Sequence, residues 1–290
     1  MHYLDPRPGS LVVDATLGLG GHAARILEKM GPKGRLIGFD RDPEALVNAK
    51  KNLARFGEQV MLINDRFSQI PERLKELGVA SVQGALLDLG VSSMQLDRPD
   101  RGFSFKEDGP LDMRMNPGDS LTAKELINKA SKEELRNILW NFGEERLARR
   151  IVDRVDQVRQ RRTIETTAEL AAIIWQSVPV KYRYGRIHPA TRTFQALRIA
   201  VNSEMQELKD FLEKAPDFLD FGARLVVISF HSLEDRMVKN AFRKFKADQT
   251  GEILTKKPVT PAEEEIGVNP RSRSAKLRAF QKHREGVVVV

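Results

Sequence analysis

Near its N-terminus the chain reads Leu11-Val-Val-Asp-Ala-Thr-Leu-Gly-Leu-Gly-Gly-His22. An apolar, β-branched run that ends in an acid and continues into glycines predicts a strand that turns directly into a helix. Gly18, Gly20 and Ala23 fit the spacing G-x-G-x-x-G/A, whose small residues let the backbone approach a ligand at the helix N-terminus. The segment therefore predicts a site for a small cofactor that carries adenosine.

A second short strand supports this prediction. Leu36-Ile-Gly-Phe-Asp40 ends in a carboxylate, about 20 residues beyond the glycines, where Rossmann-like folds place the acid that binds ribose hydroxyls. Asp40 is therefore the candidate ribose ligand. The alternative is that residues 18–21 form an ordinary strand–helix turn and that Asp40 caps the helix opening at Pro43. The spacing alone does not separate NAD from S-adenosylmethionine, because both present an adenosine to this layout.

Composition limits the classes of protein to consider. With 290 residues, 41% of them hydrophobic, the chain can form one large core and a smaller second unit. No apolar run approaches the roughly 20 residues that span a bilayer, and the N-terminus lacks a signal-peptide pattern, so a cytoplasmic protein without membrane contact is predicted. The absence of cysteine excludes disulfides, thiolate metal sites and a cysteine nucleophile, and the five histidines show no metal-ligand spacing.

The charge balance points to a polyanionic partner. A formal net charge of +8 favours nucleic acid, because Lys and Arg gain affinity by releasing counterions from phosphates. One segment is particularly rich in arginine, with Arg146, Arg149, Arg150, Arg154, Arg159, Arg161 and Arg162. Such a segment is either a surface that follows a phosphate backbone or a solvated helix face.

Apolar runs alternate with helical patterns along much of the chain, which predicts a parallel sheet covered on both faces by helices. We expect strands at residues 11–16, 35–40, 60–64, 83–88, 224–230 and 276–281. The stretch 250–270, with three prolines and an acidic run, is predicted to be a surface loop.

The pattern changes between Asp88 and Arg224. Thr122, Ser131 and Thr166 each begin a capping-box pattern that opens an apolar-periodic run, and no convincing strand lies among them. This predicts a helical insertion that interrupts the sheet domain and lies over the carboxyl ends of its strands, where α/β sheets bind ligands. The predicted domains are a discontinuous sheet domain, 1–109 with 191–290, and a helical insertion for substrate recognition, 110–190.

Asp88 is the strongest candidate for a catalytic role. It ends the apolar run Ala85-Leu-Leu-Asp88, beside the point where the strand order should reverse, and we expect it to face the reactive end of the cofactor. An acid that accepts the N–H bonds of an exocyclic amine makes the nitrogen lone pair more available for direct methyl transfer. The alternative is a helix cap or a purely structural acceptor.

Arginine and phenylalanine alternate in Arg101-Gly-Phe-Ser-Phe105. Guanidinium and aromatic groups together can stack on an unpaired base. The alternative is that Phe103 and Phe105 anchor a loop to the core.

Taken in order, the motifs cover almost the whole chain and resemble the bacterial RsmH (MraW) enzymes, S-adenosylmethionine-dependent methyltransferases of a cytidine N4 amine in 16S ribosomal RNA. The stretches that carry the resemblance are residues 13–22, 87–93, 101–105, 108–115, 188–202, 228–236 and 269–278. The resemblance implies an α/β fold with a Rossmann-like, class I methyltransferase sheet and an inserted helical domain. It also implies methyl transfer without a covalent enzyme intermediate.

The same resemblance implies site residues. Those in contact with the cofactor would be Gly20, Gly21, His22, Asp40, Phe67, Asp88 and Gln95. From the family segments and the Arg–Phe motif, the candidates for RNA contact are Arg101, Phe103, Phe105, Arg114, Arg192, Arg198, His231 and Arg236. Core packing is the alternative for Phe67, and a structural role is the alternative for His231.

Family members usually carry a His-Pro-Val segment before the first strand, and this chain begins only about ten residues ahead of that strand. The resemblance thus predicts a trimmed start or an incomplete lid over the pocket. Two other function classes stay open: an NAD-dependent dehydrogenase, and an RNA-binding or ribosome-assembly factor without turnover. The sequence does not choose between naked RNA and an assembled small subunit as partner, or between a monomer and a homodimer.

Overall fold

The computed structural model describes residues 1–185 and 187–283. They form two compact units, which are described separately: a sheet unit, residues 1–90 with 205–283, and a helical unit, residues 91–185 with 187–204. The strands are β1 Leu11–Asp14, β2 Arg35–Asp40, β3 Val60–Asn64, β4 Val82–Asp88, β5 Leu219–Ser229, β6 Gly251–Ile253 and β7 Lys276–Lys282.

The α-helices are α1 Gly21–Met30, α2 Pro43–Asn52, α3 Ile70–Glu76, α4 Ser93–Leu96, α5 Ala123–Lys129, α6 Lys132–Gly143, α7 Ala148–Arg159, α8 Thr167–Ser177, α9 Val180–Arg183, α10 Ala190–Val201, α11 Glu204–Phe218, α12 Ser232–Ala247 and α13 Glu263–Val268. Short 3-10 helices lie at Ala54–Gln59, Phe67–Gln69, Pro99–Arg101 and Pro270–Ser274. None of these helices is long and apolar enough to cross a membrane.

The seven strands form one sheet in the order β3-β2-β1-β4-β5-β7-β6. Strands β1 to β5 are mutually parallel, as predicted, and the order reverses between β1 and β4. Asp14 ends β1 and Asp88 ends β4, so the reversal brings two strand-terminal carboxylates to the same edge of the sheet. That edge is where α/β sheets bind ligands.

The C-terminal part of the sheet differs from the prediction in two respects. Strand β7 runs antiparallel to both β5 and β6, and the predicted loop 250–270 contains β6 and α13. Gly251 explains how β6 can approach β7, because a Cβ at this position would lie 2.1 Å from the carbonyl oxygen of Gln281. Strand β6 has only three residues, and a strand this short is not predicted by hydrophobic periodicity, least of all in a segment rich in proline and acidic residues.

Apolar side chains fill both faces of the sheet. One cluster includes Phe39, Phe211 and Phe280, and the other includes Ile26 and Leu36. Burial on both faces explains why the parallel strands read as continuous apolar runs rather than as alternating patterns.

The helical unit extends beyond the predicted insertion at both ends. Its apolar core includes Phe103, before the expected start at residue 110, and Leu197 on α10, after the expected end at residue 190. Thr122 and Thr166 form complete capping boxes at α5 and α8, and Ser131 caps α6 by accepting the backbone N–H of Glu134. The capping patterns predict where the helices begin. The limits of the helical unit depend on which side chains are buried in its core, and the capping patterns give no information about that.

Candidate active site

The glycine turn between β1 and α1 is tightly constrained. Gly20 has a φ of 83°, which favours glycine because a Cβ clashes in this region. A Cβ at Gly20 would also lie 3.0 Å from the side chain of Leu53. At Gly21, by contrast, a Cβ would meet no atom within 4 Å, so the N-terminus of α1 is open to a ligand.

The side chain of Asp40 connects the glycine turn to the end of β2 by hydrogen bonds. Its carboxylate accepts the backbone N–H of Gly18 at 2.8 Å and that of Asp42 at 2.9 Å. The N-cap of α2 is Asp42, which accepts the N–H of Glu44, so the alternative that Asp40 caps this helix is wrong. Burial raises the pKa of Asp40 to about 6. Each carboxylate oxygen has a second lone pair, which leaves acceptors for the hydroxyls of a ribose.

His22 and Asp88 form a pair at the point of strand reversal. His22 Nε2 lies 3.2 Å from Asp88 Oδ2, and this hydrogen bond raises the pKa of His22. The backbone N–H of Asp88 donates to Thr16 Oγ1 at 2.7 Å, which fixes the end of β4 against the glycine turn. The second carboxylate oxygen of Asp88, Oδ1, is buried and has no hydrogen-bond partner within the described chain.

Asp14 is a member of this cluster that the sequence reasoning did not select. Burial raises its pKa to about 7, and the nearby His22 and Asp88 also influence it electrostatically. Its Oδ1 accepts the N–H of Thr16 at 3.3 Å, and its Oδ2 is buried without a partner among the described residues. The available signal was its position as the terminal acid of β1, at the sheet edge that also holds Asp88.

The two remaining predicted cofactor residues have different surroundings. Phe67 follows β3, is half-buried, and packs edge-on against Phe211 with ring centroids 5.7 Å apart. Gln95 lies on α4 of the helical unit, where its side chain and that of Ser92 close a capping box. The other predicted cofactor residues all belong to the sheet unit. They lie at the ends of strands β1 to β4 or in the segments that follow these strands: Gly20, Gly21, His22, Asp40, Phe67 and Asp88.

Comparison with known proteins identifies the family. The model of the MraW methylase family matches residues 1–283. The chain belongs to this family. A protein from Geotalea uraniireducens named ribosomal RNA small subunit methyltransferase H is 48% identical over 297 residues, covering 97% of this chain and 95% of that protein. A protein of the same name from Trichormus variabilis is 52% identical over 279 residues, covering 96% of this chain and 88% of that protein.

Solved structures are more distant. An rRNA methylase from Streptococcus thermophilus aligns with 98% of this chain and 91% of that chain, at 13% identity and a TM-score of 0.44. This similarity is too weak to support an argument about the fold or the function.

Several residues that the arginine and phenylalanine pattern of residues 101–114 suggested for RNA contact instead stabilise the helical unit. Arg101 is buried and donates to the carbonyl oxygens of Arg114 and Met115, at 3.1 and 2.8 Å. Arg114 pairs with Asp112 at 2.6 Å, and Phe103 is buried in the core. The Arg–Phe motif therefore supplies a buried donor and a core ring rather than two exposed stacking groups.

The other candidates vary in accessibility. Arg198 pairs with Glu204 at 2.8 Å and is largely buried, whereas Arg192 is exposed and donates to the carbonyl oxygen of Glu144. Phe105 is half-buried. In the sheet unit Arg236 is exposed, and His231 caps α12 by accepting the N–H of Glu234.

The arginine-rich segment also divides into two sets. Arg159 donates to carbonyl oxygens of Ile127 and Ala130, and Arg162 pairs with Glu169. These two arginines hold helices together. Arg162 is exposed as well as paired, and the other exposed arginines of α7 and its flanks are Arg146, Arg149, Arg150, Arg154 and Arg161.

Proposed function

We propose that this protein transfers a methyl group from S-adenosylmethionine to the N4 amine of a cytidine in small-subunit ribosomal RNA. The observation that carries the proposal is the match of the chain to the MraW methylase family over residues 1–283, with relatives near 50% identity that are named ribosomal RNA small subunit methyltransferase H. Those relatives align over nearly their whole length, so the proposal does not depend on one shared motif.

The residues at the edge of the sheet fit the proposed methyl donor. Asp40 would accept the ribose hydroxyls, and the open N-terminus of α1 at Gly21 would let the backbone approach the ligand. The buried, unpartnered oxygens of Asp14 and Asp88 are acceptors that call for a donor from a ligand, because buried polar atoms are nearly always hydrogen-bonded. S-adenosylmethionine, when bound, supplies an electrophilic methyl group on a sulfonium.

Asp88 is proposed to activate the amine. The lone pair of a cytidine N4 is delocalised into the ring, so an acceptor for its N–H bonds makes that pair more available and takes up the proton that N4 loses. The Asp88 side chain is partly exposed although Oδ1 is buried, so Oδ2, which also contacts His22, is the oxygen that would face the amine. The chain has no cysteine, so the proposed transfer proceeds without a thiolate adduct on the base.

The sheet argues against the NAD-dependent alternative. Dinucleotide-binding folds have the strand order 3-2-1-4-5-6, whereas here the antiparallel β7 separates β5 from β6. The buried carboxylates also make an unfavourable lining for a pyrophosphate, since both groups are anionic.

The test is transfer of a labelled methyl group from S-adenosylmethionine to small ribosomal subunits that lack the modification, with naked RNA in parallel. We expect N4-methylcytidine on mass spectrometry of the nucleosides, and the comparison of the two substrates identifies the form that is recognised. Binding of S-adenosylmethionine without product on either substrate would favour a binding-only factor. Nicotinamide cofactor binding without affinity for S-adenosylmethionine would favour the dehydrogenase.

A further inference from the structure

The helical unit contains a continuous series of aromatic rings, here called the aromatic stack: Phe194, Phe105, His188, Trp175 and Tyr184. The centroid of the Phe105 ring lies 4.8 Å from those of both Phe194 and His188. His188 stacks on Trp175 at 5.3 Å with an interplanar angle of 21°. Tyr184 then meets Trp175 edge-on at 5.6 Å. The series connects α10, α8 and the segment after α9.

Exposure increases along the aromatic stack. Phe194 is 4% exposed and belongs to the core, Trp175 is half-buried, and Tyr184 is 80% exposed. The inner rings are held by packing, so the outer ring stands on a rigid support. A large aromatic side chain that is this exposed and yet locally braced is typical of a binding surface.

The surroundings of His188 favour its neutral form. Burial lowers its pKa, and its Nδ1 accepts the backbone N–H of Ala190 at 3.2 Å. A neutral imidazole stacks on Trp175 without the desolvation cost of a cation.

The surroundings of the aromatic stack are cationic. No Asp or Glu occurs between Glu169 and Glu204, a stretch that holds one lysine and four arginines. Lys181 lies over the ring of the exposed Tyr182, 5.2 Å from its centroid. On the adjacent α7, Arg154 contacts Gln176, the neighbour of Trp175. Cations beside exposed aromatic rings are the combination that binds single-stranded nucleic acid.

We propose that the aromatic stack binds an unpaired nucleotide of the substrate RNA, with its base on Tyr184 and the adjoining phosphates on the cations around it. This inference rests on the proposed function and adds to it a site on the helical unit that recognises single-stranded RNA. A second copy of this chain fits the surface less well, because a two-fold contact would place two basic patches against each other.

Binding of a short, unstructured RNA oligonucleotide to the full chain tests the proposal. We expect Tyr184→Ala to weaken binding about tenfold, the effect of losing one stacked base. Trp140→Ala is the matched control, because Trp140 is a 60% exposed aromatic residue on α6 of the same unit. Its effect should stay within about twofold. Tyr184→Phe keeps the ring and should bind as tightly as the unaltered chain.

Fluorescence locates the contact. The chain has two tryptophans, so in a Trp140→Phe background Trp175 is the sole reporter. We expect the single strand to quench this emission and the same strand in a duplex to leave it unchanged, because paired bases cannot stack on a side chain.

The outcomes separate this inference from the proposed function. If the unaltered chain methylates small subunits but Tyr184→Ala binds the oligonucleotide equally well, the aromatic stack is not an RNA site and the methyltransferase proposal stands. If the unaltered chain binds no RNA and transfers no methyl group, both proposals are wrong. If Tyr184→Ala instead converts a dimer into a monomer with unchanged RNA binding, the surface belongs to a second copy.

Discussion

The carboxyl edge of the sheet and the arginines of the helical unit differ in what their charged groups contact. At the sheet edge, Asp40 and Asp88 lie where the ends of their strands dictate, and each keeps acceptor capacity for a ligand. In the helical unit, Arg101 and Arg198 make internal contacts instead of facing a partner. Topology assigns the position of a strand-terminal residue, whereas a residue in a loop or on a helix can turn toward the core or toward solvent.

The largest expected effect tests the sheet edge. Asp88→Asn keeps the size of the side chain but replaces one carboxylate oxygen by an NH₂ group, so it weakens the acceptor next to the amine. We expect the rate of methyl transfer at saturating cofactor to fall at least about 100-fold. Calorimetry should show cofactor binding retained. Turnover near that of the unaltered chain would show that Asp88 is a structural residue. The His22→Asn variant keeps Asp88 and removes the imidazole that pairs with it, so it separates the effect of the carboxylate from that of His22.

The buried carboxylate of Asp14, which the sequence motifs did not select, should make the stability of the protein depend on pH. Burial raises the pKa of Asp14 to about 7, above about 3.9 for an unfolded aspartate. Between these values the folded state binds more protons, so the free energy of unfolding falls as the pH rises, by up to about 1.4 kcal/mol per pH unit. Asp14→Asn should flatten this slope in urea titrations at a series of pH values.

Two neighbours must be separated from Asp14 in that experiment. Asp40, with a pKa raised to about 6 by burial, gives a slope of the same sign that ends near pH 6. His22, whose pKa is raised by Asp88, loses its stabilising contribution as the pH rises above about 6.5. The Asp40→Asn control should therefore keep the slope between about pH 6 and pH 7. An unchanged slope in Asp14→Asn would assign it to the other groups.

The sequence predicted the sheet edge well and the helical unit only in outline. Parallel strands, the glycine turn and the three helix caps follow from local patterns, because period, spacing and capping chemistry are properties of neighbouring residues. Burial of Arg101 and the extent of the helical unit depend on contacts between distant segments, such as that of Met115 with Asn202. Asp14 was overlooked because its unusual surroundings arise from β4 and α1, not from its own motif.

A pair of arginine variants makes the contrast within the helical unit quantitative. Arg101→Met keeps an apolar stem but removes the donor to the carbonyl oxygens of Arg114 and Met115, and we expect a loss of about 2 kcal/mol in the free energy of unfolding. Arg192→Met alters an exposed side chain with one backbone contact and should change stability by less than about 0.5 kcal/mol. Urea titration measures both, and equal losses would contradict the assignment of Arg101 as the structural member.

The smallest effect concerns Phe67, for which core packing and cofactor contact predict different results. If the half-buried ring contacts the adenine, Phe67→Leu should raise the Kd for S-adenosylmethionine by about twofold to tenfold, the usual worth of an aromatic contact. Phe218→Leu is the matched control, because this buried ring packs on Phe211 from within the core. It should lower the free energy of unfolding and leave the Kd unchanged. A Phe67 variant that behaves like the Phe218 variant would assign Phe67 to the core, because only the loss of a ring that touches the ligand raises the Kd beyond what a change in the free energy of unfolding explains.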